Sequence, residues 1–269
     1  MSLKQSIPLK CVANARELGG YHTSDGRTVR NGVLLRTGNL NDITSDDIRI
    51  LKNQYHLSDI IDFRMEMEMR GHEDPMIAGV TNTHLDVIDI PDMLSQGKPD
   101  ADINTTDVIQ LVKMSQQMGM LNDDMYIGFL KNDMGKKAYS QFLRILLSAD
   151  PDRAVLWHCT SGKDRTGLAS MLLLSLLGVE ESIIMEDYML TNEYNASRIE
   201  GTKKYLRARG CEEDFVEKAA FVFDAVDRHF MENAIAFLKE KYGSVLGYIR
   251  AELNISEEEI AILKEKYTI

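Results

Sequence analysis

The sequence is poor in the residues that staple or stiffen a chain. Three cysteines, five prolines and one tryptophan occur in 269 residues. Cys11, Cys159 and Cys211 are odd in number, widely spread and without C-x-x-C spacing, which argues against a disulfide framework and against a local metal or redox motif. Positive charge is also short: 31 Lys and Arg stand against 42 Asp and Glu, a formal net charge of −11. The broad basic field that nucleic-acid or anionic-membrane binding needs is therefore missing. The longest apolar run lies within residues 168–179, is interrupted by Ser170, Ser175 and Gly178, and is too short to span a bilayer. The first ten residues hold no apolar stretch of signal-peptide length, so the expected location is the cytoplasm. Low-complexity blocks, Gly/Ser/Pro linkers and fixed-period repeats are lacking too. What is present, 44% hydrophobic and 27% charged residues, is the profile of a globular chain large enough to bury a core. An anionic ligand must be caught by a local positive site.

Apolar runs at 33–35, 57–63, 80–90 and 153–158 read as strands. A helix is expected after Thr44-Ser45-Asp46-Asp47, with Ile48, Leu51 and Tyr55 on one face, and another over 126–147. From Arg165 onward nearly everything is helical. Strands separated by helices predict one α/β domain over 1–269, a central mostly parallel sheet flanked by helices with a helical second half. Residues 91–124 are longer than an ordinary connection and carry Val108, Leu111, Val112, Met114 and Met118 at helical spacing. They read either as a peripheral helix over the core or as a Met-rich lid over a site.

The stretch that carries chemistry is Val155-Leu156-Trp157-His158-Cys159-Thr160-Ser161-Gly162-Lys163-Asp164-Arg165-Thr166-Gly167. An apolar strand ends at a cysteine, a polar loop follows, and an apolar helix begins at Arg165. Successive loop amides (Thr160, Ser161, Gly162, Lys163, Asp164) and a helix N-terminus form an anion cradle. Arg165 adds a planar fork for two phosphate oxygens and Lys163 a second positive charge. The same field lowers the Cys159 thiol toward the nucleophilic thiolate, and His158 can hold the cysteine backbone or sulfur. A Cys with Arg six residues later arises by chance about 0.2 times in such a chain, so specificity rests on the flanking His, Gly and Thr-Gly and on the strand–loop–helix context.

Residues 158–165 have the H-C-x5-R form of the cysteine-dependent phosphatases. The variant HCTSGKDRTG resembles the signature of the atypical bacterial tyrosine phosphatases, which also accept phosphoserine/threonine or phosphoinositides. Asn14-Ala15-Arg16-Glu17-Leu18-Gly19-Gly20 is similar to that family's N-x-R-D-x-G-G, with Glu17 for Asp. Ile60-Ile61-Asp62-Phe63-Arg64 is similar to its I-D-L-R strand end, and residues 248–263 to its C-terminal helical pattern. The resemblance implies the cysteine-phosphatase fold and a metal- and cofactor-free reaction through a cysteinyl-phosphate, with Cys159 as nucleophile and Arg165 on the equatorial oxygens. It further implies Asp164 as general acid and a Thr166 hydroxyl on the cysteine sulfur, a bond Ser161 could also make. Asp86 and Asp89, ahead of Pro91, remain alternatives on a separate acid loop, and a structural part for Asp164 as helix cap stays open.

The expected substrate is a phosphorylated protein or peptide, chiefly phosphotyrosine with dual specificity; the alternative is a phosphoinositide. Lys163 favours the lipid, whereas Thr160, where lipid-preferring relatives carry Lys, and the net charge disfavour it. A sulfurtransferase and a silent phosphate-binding module are the other classes considered; the Lys-Asp-Arg-Thr-Gly run argues against the first, the presence of both Cys159 and Arg165 against the second. Asp62 and Arg64, at a strand end, read either as orienting the active-site loop or, more commonly for such pairs, as a structural ion pair, and Arg16 reads the same way.

Overall fold

A computed structural model describes residues 5–88 and 123–269. Five strands form one sheet: β1 (Arg16–Glu17), β2 (Leu34–Thr37), β3 (Asp59–Asp62), β4 (Thr81–His84) and β5 (Val155–His158), in the order β1-β2-β5-β3-β4. β1 pairs antiparallel to β2 and the other pairings are parallel. The register puts Thr37, His158, Asp62 and His84 in one row at the carboxyl edge. That edge is where open α/β sheets place their ligands.

Alternation along the strands divides the core in two. Leu34, Ile61, Val155 and Trp157 face the large cluster, while Leu35, Ile60 and Leu156 face a smaller one with Leu51 and Leu57. The smaller face is covered by α1 (Ser45–Asn53), whose start is set by a capping box between Thr44 and Asp47. Asp47 is itself buried and accepts the Lys10 amide at 2.8 Å, tying down the N-terminal segment.

Short α2 (Glu66–Met69) follows β3. The helix expected over 126–147 is two: α3 (Met125–Lys131) and α4 (Asp133–Ser148). Asn132 is extended between them and its side chain accepts the Gly135 amide, a cap that periodicity alone does not reveal. The strand expected at 80–90 is the edge strand Thr81–His84, largely exposed, and residues 89–122 lie outside the described residues, with most of the helix-or-lid stretch and Asp89.

After β5 come α5 (Arg165–Leu177), α6 (Glu181–Tyr194), α7 (Ala196–Arg207), α8 (Glu213–Phe223), α9 (Arg228–Tyr242), α10 (Val245–Ala251) and α11 (Glu257–Tyr267). α5 is apolar on nearly every side and buried, the pattern of a central helix. It stops at Gly178, whose φ of +89° needs no Cβ. α7 and α8 pack on each other around Leu206, Val216 and Ala219.

Candidate active site

β5 delivers Cys159 to the carboxyl edge of the sheet, and the chain turns through 160–164 into α5. Cys159 is 1% exposed. Around it, each carbonyl from Cys159 to Asp164 meets a donor on the outside of the loop. Cys159 O lies 3.1 Å from His158 Nδ1. Thr160 O accepts from Asn39 N at 3.0 Å and Asn39 Nδ2 at 2.9 Å. Asn14 Nδ2 donates to Ser161 O at 3.2 Å and to Gly162 O at 2.8 Å, and Arg36 Nη2 to Gly162 O at 2.9 Å. Lys163 O and Asp164 O accept the Gly167 and Leu168 amides as α5 begins. In a trans peptide the N–H points opposite to the C=O. Holding the carbonyls outward therefore aims the amides inward, and those of 160–166 donate to no acceptor among the described residues. Unpaired amides converging at a helix N-terminus over a cysteine make an anion site.

Arg165 completes it, and Glu68 orients Arg165. Arg165 Nη1 and Nη2 donate to Glu68 Oε2 at 2.6 Å and Oε1 at 2.9 Å, and Nη1 also to Phe63 O at 3.1 Å. Nε has no partner among the described residues, and beyond its bond to Glu68, Nη2 makes only a 3.4 Å contact to Thr160 Oγ1. The Nε–Nη2 edge is thus the one least engaged by protein acceptors among the described residues. Glu68 also accepts from the Thr160 hydroxyl and from Met65 N. Burial alone would raise its carboxyl. The Arg165 charge and hydrogen bonds, with those from Thr160 and Met65, outweigh it and bring it down to about 2. Burial opposes the Arg165 charge as well, and Glu68, Cys159 and Asp164 overcome it to hold the guanidinium well above its ordinary value.

The sequence pattern of the family described as the tyrosine phosphatase family matches residues 7–269. The chain belongs to the tyrosine phosphatase family. A protein of Cupriavidus necator, named provisionally as a tyrosine-protein phosphatase, is 28% identical over 193 residues, 72% of this chain and 65% of its own length. A tyrosine-protein phosphatase of Nostoc commune is 34% identical over 44% of this chain and 40% of its own length. The triple specificity protein phosphatase PtpB of Mycobacterium tuberculosis is 24% identical over 82% of this chain and 86% of its own length. The chain thus spans about two thirds or less of the first two relatives.

Within this member of the tyrosine phosphatase family the remaining expected site residues divide. His158 Nε2 faces Asp74 Oδ2 at 2.7 Å, and Arg64 joins Asp62 and Asp74 at 2.7 and 2.9 Å. Asp62 and Arg64 are therefore structural, and they act on the loop through His158. Asp62, Asp74 and His158 lie close enough to hold a metal ion, but the Arg64 guanidinium already sits on both carboxylates.

Two expected side-chain parts are met by other partners in the structure. The Lys163 ammonium is turned to Phe221 O at 2.8 Å and Ala225 O at 3.1 Å, lies 5.1 Å from the Phe221 ring centroid, and is 4% exposed. It caps the C-terminal end of α8 instead of adding charge to the hollow, because carbonyls at a helix end attract a cation. Ser161 Oγ donates to Phe223 O at 2.5 Å, on the same side. The Thr166 hydroxyl, expected on the cysteine sulfur, has no hydrogen-bond partner among the described residues.

Asp164 Oδ1 accepts from Tyr126 OH at 2.6 Å, and Oδ2 lies 3.4 Å from Lys163 Nζ. Asp86 accepts the Ile88 amide at 3.0 Å, and burial raises its carboxyl against the opposing Arg165 charge.

Sequence reasoning missed Glu68, Asn39, Asp74, Arg36, Asp187 and Tyr126. Asn14 stood within a quoted motif without a role. Arg36 carried one signal: a charged residue inside an otherwise apolar strand.

Proposed function

We propose that this protein hydrolyses phosphomonoesters through a cysteinyl-phosphate, with phosphotyrosine in proteins or peptides as principal substrate and phosphoserine/threonine as secondary ones. The observation that carries the reading is the outward set of carbonyls from Cys159 to Asp164, with inward, unpaired amides around a buried cysteine. The Cys159 thiolate attacks phosphorus; the S–P bond forms as the ester P–O bond breaks. The loop amides and the Nε–Nη2 edge of Arg165 take the equatorial oxygens, whose charge develops in the transition state. A carboxylic acid gives its proton to the leaving oxygen, and its carboxylate then takes a proton from the water that splits S–P, releasing phosphate and restoring the thiolate.

Asp164 is the proposed acid, being in the loop itself with its carboxyl oriented by Tyr126. Asp86 is the second candidate, on one specific ground: burial favours its protonated form, as an acid requires. A phosphoinositide is the second substrate reading; the turning of Lys163 onto helix carbonyls weighs against it. No helix among the described residues is long and apolar enough to cross a membrane. We place the enzyme in the cytoplasm and treat 1–269 as one domain.

Hydrolysis of p-nitrophenyl phosphate by wild type and Cys159→Ser tests the activity. Turnover lost in the variant with phosphate binding retained is expected; a wild type that binds phosphate without turnover makes the protein a binding module. Phosphotyrosine peptide set against phosphoinositide vesicles then ranks the substrates, and a large vesicle preference makes the phosphoinositide the principal one.

A further inference from the structure

Beneath the loop, away from the hollow, lies a group of charges that the reaction above does not use. Arg16 and Arg36 are fully buried and Asp187 is 1% exposed. Asp187 Oδ1 accepts from Arg16 Nε at 3.0 Å and from Tyr21 OH at 3.1 Å, and Oδ2 from Arg36 Nη1 at 2.7 Å. Two buried guanidinium groups share one carboxylate, which leaves one positive charge without an ion-pair partner among the described residues. The structure carries a further cost here: Arg36 Nε has no hydrogen-bond partner among the described residues. Burying an excess, incompletely bonded cation is unfavourable and makes poor sense as a source of stability.

The other end of Arg36 explains its presence. Nη2 reaches the Gly162 carbonyl at 2.9 Å, beside Asn14 Nδ2, which is held in turn by Arg16 through its own side-chain oxygen. The Gly162–Lys163 peptide is the one whose orientation is least dictated locally, since Gly162 has a φ of +65° and can turn either way.

We propose that Arg36, anchored by Asp187, is a positioning residue of the phosphate loop: it fixes the Gly162–Lys163 peptide with its N–H inward and sets a buried positive charge behind Cys159. The inference rests on the phosphatase reading of this loop. Burial, and next the Arg16 charge, push the Arg36 guanidinium down to about 10, with Asp187, Tyr21 and Cys159 opposing, so it remains a cation at neutral pH. Arg165 and Tyr139 also interact electrostatically with Cys159. The two actions of Arg36 separate by substitution. Met keeps length without charge or donor. Lys keeps the charge but has one head group, which cannot span from Asp187 to Gly162 as the two arms of a guanidinium do.

The test measures p-nitrophenyl phosphate turnover and, by mass spectrometry of the Cys159 peptide, the pH profile of iodoacetamide alkylation. In Arg36→Met, kcat is expected to fall about 100-fold, and alkylation of Cys159 to slow about tenfold as the buried positive charge is lost. In Arg36→Lys the alkylation profile returns toward wild type while kcat stays at least about tenfold low. A purely structural residue would lower Tm and leave both profiles in place. A folded Arg36→Met with kcat and alkylation within about twofold of wild type overturns the proposal. If that variant does not fold, Arg36→Lys decides, and a wild-type kcat in it overturns the proposal equally. Alkylation needs no turnover, so an inactive wild type defeats the phosphatase reading while still reporting on the charge behind Cys159.

Discussion

Glu68 and Arg165 meet end to end, carboxylate on guanidinium, at 2.6 and 2.9 Å. This leaves Arg165 one edge, Nε–Nη2, least engaged by the protein, so Glu68 decides which edge of the arginine stays open. Its carboxyl lies below its unfolded value of 4.5, at about 2. The interaction therefore stabilises the fold fully above pH 4.5 and is lost as pH falls toward 2. In Glu68→Gln this acid-dependent loss should disappear, with stability at pH 7 reduced by at most about 3 kcal/mol. Urea unfolding at pH 3 and pH 7 checks the difference, and an unchanged pH dependence speaks against the pairing.

Gly162 permits no side chain. Its φ is +65°, and a Cβ would fall 2.2 Å from Thr37 O in the neighbouring strand. Gly162→Ala must therefore move either the loop or β2. Turnover should drop about 100-fold or more, since misplacement on the scale of 1 Å costs that much, and stability by about 1–3 kcal/mol. Steady-state kinetics with thermal unfolding reads both, and a near-wild-type rate would show that the loop has more room than these distances allow.

Lys163 belongs to α8 more than to the anion. Lys163→Met removes the cap on Phe221 O and Ala225 O, leaving two carbonyls without their donor at a cost of about 1–3 kcal/mol. The expected signature is faster limited proteolysis within residues 196–223, with KM for p-nitrophenyl phosphate changed by less than about threefold. A tenfold rise in KM with unaltered proteolysis would return Lys163 to the role its position in the motif suggests.

Asp164→Asn and Asp86→Asn separate the two acids. A general acid must hold its proton, so its titration shows as a fall of kcat at higher pH. Asp164→Asn should lower kcat by about 100-fold or more and flatten that limb, with Asp86→Asn milder. The opposite ranking identifies Asp86, whose burial-raised carboxyl places the limb above that of an ordinary aspartate.

How much of this was legible in advance follows from chain distance. The strand, loop and helix around Cys159 are contiguous, and the start of α1 lies within the four residues Thr44 to Asp47; propensity, capping and turn chemistry act over that range. The break at Asn132 slipped through because a capping side chain can interrupt a helix without disturbing its apolar spacing. What holds the loop open is non-local. Asn14 reaches Ser161 across 147 positions, Arg36 reaches Asp187 across 151, and Glu68 reaches Arg165 across 97. The sequence by itself determined that Cys159, the loop amides and Arg165 would stand together, because a strand running through a tight loop into a helix leaves them little alternative. Only the tertiary structure decided which way the carbonyls turn, which edge of Arg165 stays open and where Lys163 spends its charge. Each of these depends on a buried polar group finding its partner, and burial brings together residues that no local pattern connects.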